Sequence, residues 1–109
     1  MALRHDIGKL GESLAERFLV ERGYRLIERN ARVDGDELDL IMADGSTIVA
    51  VEVKTTTNGA DPFEAIDDDK MYRVHRAADA YRPRVSRVDA IAVMIGDRGA
   101  TVHWVQSMQ

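Results

Sequence analysis

Residues 37–54 read Glu37-Leu38-Asp39-Leu40-Ile41-Met42-Ala43-Asp44-Gly45-Ser46-Thr47-Ile48-Val49-Ala50-Val51-Glu52-Val53-Lys54. Two apolar runs flank Asp44-Gly45, a dipeptide suited to a tight hairpin because a primed turn needs positive φ. The stretch predicts two strands, Glu37 to Ala43 and Ser46 to Lys54. Asp39, Glu52 and Lys54 interrupt them, and charges inside runs this apolar are informative because burying an unpaired charge is costly. With a two-residue turn at Asp44-Gly45, residue 39 faces 50 and 37 faces 52. Alternation then predicts Asp39, Glu52, Lys54 and Glu37 on one face, and Leu38, Leu40, Val51 and Val53 on the other.

Two carboxylates that converge can hold a hard divalent cation through oxygen. Mg²⁺ fits that chemistry, keeping several waters and bridging to a phosphate. Such a cation acidifies water and neutralises charge on the phosphate under attack. Lys54, two residues from Glu52, is placed to orient the water or to stabilise developing negative charge. The pattern therefore reads as a phosphodiester-hydrolysis site. The same spacing also fits a solvated strand face carrying a Glu–Lys pair and an unrelated Asp.

On the N-terminal side, Asp6 to Arg22 is predicted as a helix, with Ile7, Leu10, Leu14 and Phe18 as its apolar stripe. Asp6 would cap its start and Gly23 would end it. Gly8 and Gly11 would let this helix approach the sheet closely. Glu12, on the flank of the stripe, is either a third carboxylate near the centre or an exposed helix glutamate. A strand over Tyr24 to Val33 follows, with Tyr24, Leu26 and Ile27 as inward candidates.

On the C-terminal side, Thr55 to Ala60 is a polar loop. Asp61 then serves as N-cap, Pro62 as first helical residue and Glu64 as the return of a capping box. That helix runs toward Tyr81, with a possible interruption at Asp67 to Asp69, and Pro83 limits it. Lys70 falls in the stripe formed by Phe63, Ile66, Val74, Ala77 and Tyr81. In a continuous helix it would snorkel or reach a buried acid or a phosphate; a break would leave it exposed. Arg87 to Ile95 is a near-continuous apolar strand, expected at a central position. Gly96 to Gly99 turns it into a last strand, Ala100 to Gln106. The order αβββαββ predicts one α/β domain over residues 1–109, a mixed sheet of about five strands with a helix on each face.

The chain has 109 residues, 45% of them apolar and 31% charged, which suits a globular protein able to bury a core. No cysteine is present, which excludes disulfides, thiolate metal sites and cysteine nucleophiles. No apolar run is long enough to span a membrane and no leader is evident, so the expected location is cytoplasmic. His5, His75 and His103 lack metal-ligand spacing, and no serine stands in a nucleophile-elbow context. The net charge of −4 is unevenly spread. Asp34 to Asp69 holds eleven acids and one base, Lys54, whereas Lys70 to Val88 holds six bases and one acid. Lys70, Arg73, Arg76, Arg84 and Arg87 are thus candidate contacts to a nucleic-acid backbone. The alternative is two solvated faces of opposite sign.

Gly8 to Glu12, Arg29-Asn30-Ala31-Arg32, Glu37 to Ile41, Val51 to Thr55, Lys70, Ala77-Ala78, Tyr81 and Arg87-Val88-Asp89 occur in an order and spacing that resembles the YraN family. The likeness covers almost the whole chain. That family is described as predicted endonucleases, similar to archaeal Holliday junction resolvases within the restriction-endonuclease-like superfamily. The resemblance implies a restriction-endonuclease-like core with Glu12, Asp39, Glu52 and Lys54 as an active-site quartet. It also implies Mg²⁺ as cofactor, with Mn²⁺ as substitute, a structured nucleic-acid substrate, branched DNA first, and a homodimer. A nuclease fold that only binds nucleic acid or a protein is the alternative. Two positions depart from the pattern. Asp36, not glycine, precedes Glu37, which alters the turn into the strand. Thr56, not arginine, follows Lys54-Thr55, which removes a phosphate contact.

Overall fold

The computed structural model describes residues 3–59, 63 and 66–108. Its elements are α1 (Leu3–Val20), β1 (Arg25–Val33), β2 (Asp36–Asp44), β3 (Thr47–Thr56), α2 (Asp68–Ala80), β4 (Arg87–Gly96) and β5 (Gly99–Val105). The strands form one sheet in the order β1-β2-β3-β4-β5. Only the β3–β4 pairing is parallel, across the connection that carries α2. This is the predicted αβββαββ order and a restriction-endonuclease-like core.

The two helices cover opposite faces, as the apolar stripes require. Ala15 and Leu19 of α1 pack with Leu40, Met42, Val49, Val51, Val53, Ile91 and Val93. Met71, Val74, Ala77 and Ala78 of α2 pack with Leu38, Ile41, Ala43, Ile48, Ala50 and Val88. β4 is buried from Val88 through Val93, the signature of a strand covered on both faces. No helix among the described residues is long and apolar enough to cross a membrane.

The ridge that α1 buries is Gly11, Ala15 and Leu19, rotated from the expected Ile7-Leu10-Leu14-Phe18 stripe; Leu10 is exposed and Leu14 and Phe18 flank the contact. Small side chains explain the rotation, because they let the helix axis come close to the sheet. At Gly11 a Cβ would collide with the Thr55 side chain, whose Cβ and Cγ2 would stand 2.8 and 2.9 Å away. Asp6 lies within the first turn rather than capping it. At the other end, the Gly23 N–H donates to Val20 O, the Tyr24 N–H donates to Leu19 O, and Gly23 takes φ +92°. This closing motif satisfies the last carbonyls and seats Tyr24 beside Leu19.

α2 follows the interruption allowed for at Asp67 to Asp69, since Ile66 and Asp67 are not helical. It starts at Asp68, with the Asp67 carboxylate accepting the Lys70 N–H at 2.8 Å. Asp61, Pro62 and Glu64, read as the helix start, lie outside the described residues. The β2–β3 turn also differs. Asp44 pairs with Thr47, so Gly45 and Ser46 form the loop instead of Asp44 and Gly45. Gly45, with φ +59°, takes the first central position that a type II′ turn reserves for glycine. The shift moves the register by two residues and so preserves which side chains share a face.

Candidate metal centre

The β2–β3 ladder ends at Leu40↔Val51. Toward its N-terminus β2 stays paired with β1 through Val33↔Asp36, while β3 stays paired with β4 through Thr56↔Met94. The sheet therefore forks, and Asp39, Glu52 and Lys54 sit at the mouth of the fork. Asp39 itself holds the fork open: its Oδ2 accepts the Val53 N–H at 2.8 Å, where a β2 carbonyl would otherwise be expected. Alternation fails at this point. Leu38, expected beside Leu40, packs instead in the α2-side cluster with Ala31.

Asp39 is half-buried and Glu52 is buried, and the two carboxyls lie against each other. Burial, and then the charge of Glu52, push the Asp39 carboxyl up to about 8. Glu12 adds to that rise, while the Val53 amide and Lys70 oppose it. Glu52 is also raised, by burial, against the pull of Lys70 and Lys54. Charges from helices on both faces thus reach one carboxyl, because the fork opens the sheet between them. Lys70 Nζ stands 3.4 Å from Glu52 Oε1. Glu52 Oε2 is sealed from solvent and has no hydrogen-bond partner. A buried carboxylate oxygen left unpaired is costly. That orphaned oxygen, next to a second carboxyl, is what a divalent cation would satisfy, so the residues present fit the metal.

Glu12 is near, yet otherwise engaged. Its Oε1 accepts from Asn30 Nδ2 at 3.2 Å, and the same amide donates to Glu37 Oε1 at 3.3 Å. Among the described residues no three acids or histidines converge as metal ligands. The centre is a carboxylate pair, with Glu12 bordering it. Glu12 lines three cavities, one of about 420 Å³ with Lys9, Asn30 and Glu37, one of about 390 Å³ with Lys54, Thr55 and Thr56, and one of about 120 Å³ with Asn30 and Leu40. Asn30 escaped the residue-by-residue reading. Its signal was an asparagine in mid-strand, a residue that tolerates the positive φ of 51° found there.

Three of the five basic candidates, Lys70, Arg76 and Arg87, are paired with acids. Lys70 points to Glu52, as a lysine reaching a buried acid, although the helix starts only two residues before it. Arg76 Nη2 binds Asp36 Oδ2 at 2.7 Å. Arg87 is taken up by Asp89, at 2.8 and 2.9 Å, and by the Tyr24 hydroxyl at 3.0 Å. It pairs with Val49, whereas Glu52 pairs with Ala90, so it lies roughly 10 Å along the sheet from the carboxylate pair. Arg73 and Arg84 are exposed.

Comparison with known proteins agrees with the motifs. The model of the Uncharacterised protein family UPF0102 matches residues 11–93. The chain belongs to UPF0102. This is the family that the YraN motifs indicated. A UPF0102 protein of Bacteroides thetaiotaomicron is 41% identical over 91% of the chain and 87% of its own length. One from Chlorobium phaeobacteroides is 38% identical over 85% of the chain and 80% of its own length. A third, from a Nocardioides species, is 36% identical over 93% and 88%. The stretch matched by the UPF0102 model includes Glu12, Asp39, Glu52, Lys54 and Lys70.

Proposed function

We propose that this UPF0102 protein is a metal-dependent endonuclease acting on structured nucleic acid, with branched DNA as the favoured substrate. The observation that carries the reading is Glu52 Oε2, buried and unpaired beside the Asp39 carboxyl. Asp39 and Glu52 would hold Mg²⁺, or Mn²⁺ in its place. Bound there, the cation supplies Lewis acidity toward water and neutralises charge on a phosphodiester.

The chain's own groups do the rest. Asp39 is oriented by the Val53 amide, so one oxygen is fixed to the backbone and the other is directed away from it. Lys54, whose charge acts on Glu52, stabilises negative charge developing on the phosphate. Glu12, held by Asn30, keeps a further negative charge at the rim of the fork. Arg73, Arg76, Arg82 and Arg84 are exposed, and because Arg76 is tied to Asp36 and Arg82 to the Asp79 and Tyr81 carbonyls, Arg73 and Arg84 are the candidates for backbone contact.

The experiment is cleavage of branched, flapped and single-stranded DNA, and of RNA, with Mg²⁺, by the wild type and by Asp39→Ala and Glu52→Ala. Cleavage by the wild type and its loss in both variants is expected. Equal cleavage by the variants would remove the assignment. A second reading, a nuclease-fold module that binds without cutting, is favoured by one observation: Glu12 is tied to Asn30 instead of completing a triad of ligands. It predicts salt-sensitive binding that persists without metal, and no cleavage.

A further inference from the structure

Lys70 is the third residue of α2, and its backbone is pinned because its N–H donates to the Asp67 carboxylate. Its side chain ends in an ion pair with Glu52. The ammonium stands 3.4 Å from Glu52 Oε1, and the side chain is 33% exposed against 3% for Glu52. The stem therefore leads from a sealed carboxylate out to water. Among the described residues it is the one cation within 4 Å of Glu52.

We propose that Lys70 is a placeholder cation, neutralising Glu52 in the metal-free protein and withdrawing to solvent when a divalent cation engages the Asp39–Glu52 pair. The inference rests on that pair being a metal centre. Glu52 is sealed from solvent, and a carboxylate buried that deeply needs a compensating positive charge beside it. Lys70 supplies it in the absence of metal. A divalent cation arriving at Glu52 brings two positive charges to the ammonium's neighbourhood, and the repulsion favours whichever cation leaves more easily. A lysine suits that role. It is a compact, strongly hydrated charge on a flexible stem, and it lacks the fork geometry by which an arginine would lock onto a carboxylate. Lys70 would then weaken metal binding, the opposite of what a merely structural residue does.

The test is calorimetric titration of Mn²⁺ into the metal-free full chain, as wild type, Lys70→Met, Lys70→Arg and Asp39→Asn. Lys70→Met is expected to bind Mn²⁺ about fivefold tighter, the upper range for a part-exposed ion pair. Lys70→Arg is expected to bind no tighter than the wild type. Without Mn²⁺, Lys70→Met should unfold at a lower temperature than the wild type, and Mn²⁺ should narrow the gap. A readout on the wild type needs no variant: reductive methylation of the Lys70 amine, followed by mass spectrometry, should speed up when Mn²⁺ is added. Unchanged or weaker binding in Lys70→Met, or slower labelling with Mn²⁺, would overturn the placeholder. If Asp39→Asn then still abolished binding, the metal centre itself would stand. Absence of Mn²⁺ uptake by both the wild type and Lys70→Met would overturn the metal centre and the placeholder together.

Discussion

The Asp39 carboxylate accepts the Val53 amide N–H at 2.8 Å across the point where β2 and β3 part. One side chain thereby replaces a rung of the ladder and faces Glu52. The same contact makes Asp39 both a structural element of the fork and a member of the candidate centre, and its substitutions should separate those roles.

The pH dependence of stability follows from the direction of the Asp39 shift. Its carboxyl is pushed up to about 8, first by burial and then by Glu52, from about 3.9 in an unfolded chain. The folded state thus holds a proton that the unfolded state releases. This contribution is full below about pH 4 and is lost as pH rises toward 8. Metal-free protein should therefore unfold at a lower temperature near pH 8 than near pH 5. Asp39→Asn should flatten that slope, and Mn²⁺ should raise the wild-type melting temperature near pH 8 far more than near pH 5. Calorimetric melts at the two pH values measure all three effects. A slope identical in wild type and Asp39→Asn would show that another group causes it.

Gly11→Ala tests how closely α1 must approach β3. The added methyl would enter the Thr55 side chain. Overpacking of this kind costs about 1–3 kcal/mol, while alanine's better helix propensity returns about 1 kcal/mol. A net loss is expected in urea unfolding, accompanied by weaker Mn²⁺ binding because Thr55 stands three residues from Glu52 on β3. Gly8→Ala, with nothing within 4 Å of its added Cβ, should instead be neutral or stabilising.

Asp89 should matter for stability and not for the centre. It is fully buried and accepts from Arg87 Nε and Nη2, Trp104 Nε1 and Ser107 N at 2.8 to 3.0 Å. Removing its charge strands a partly buried guanidinium, so Asp89→Asn should lose about 3–5 kcal/mol. Denaturant unfolding reads the loss. Mn²⁺ affinity of the folded variant should match the wild type, and a large change in it would show coupling through β3, where Asp89 pairs with Val51 beside Glu52.

Asn30 combines a backbone and a side-chain role, and two substitutions divide them. Asn30→Gly keeps the positive φ but removes the amide between Glu12 and Glu37. Asn30→Ala removes the amide and adds backbone strain of about 1–2 kcal/mol. Asn30→Ala should be the less stable of the two, by that strain less the roughly 0.4–1 kcal/mol that alanine recovers through the lower entropy of the unfolded chain. Identical stabilities would show that the strand relaxes at this position.

Element order, the mixed sheet and the helix on each face were legible in the sequence, because they follow from periodicity and turn chemistry within short windows. So was the gathering of Asp39, Glu52 and Lys54. Moving the turn from Asp44-Gly45 to Gly45-Ser46 kept the parity of the register, although alternation breaks at Asp39, whose carboxylate reaches the Val53 amide within the fork. What only the tertiary structure decided was the partner of each long charged side chain. Lys70 meets Glu52, Glu12 meets Asn30, Arg76 meets Asp36, and Arg87 is drawn into the Asp89 network. The rotation of α1 onto Gly11, Ala15 and Leu19, and the break in alternation at Leu38, belong to the same group. Apart from the short-range Arg87–Asp89 contact, these depend on how a helix settles on a forked sheet, which brings together residues far apart in sequence. Local spacing carries no information about such distances, whereas packing and the cost of leaving a charge unpaired determine them.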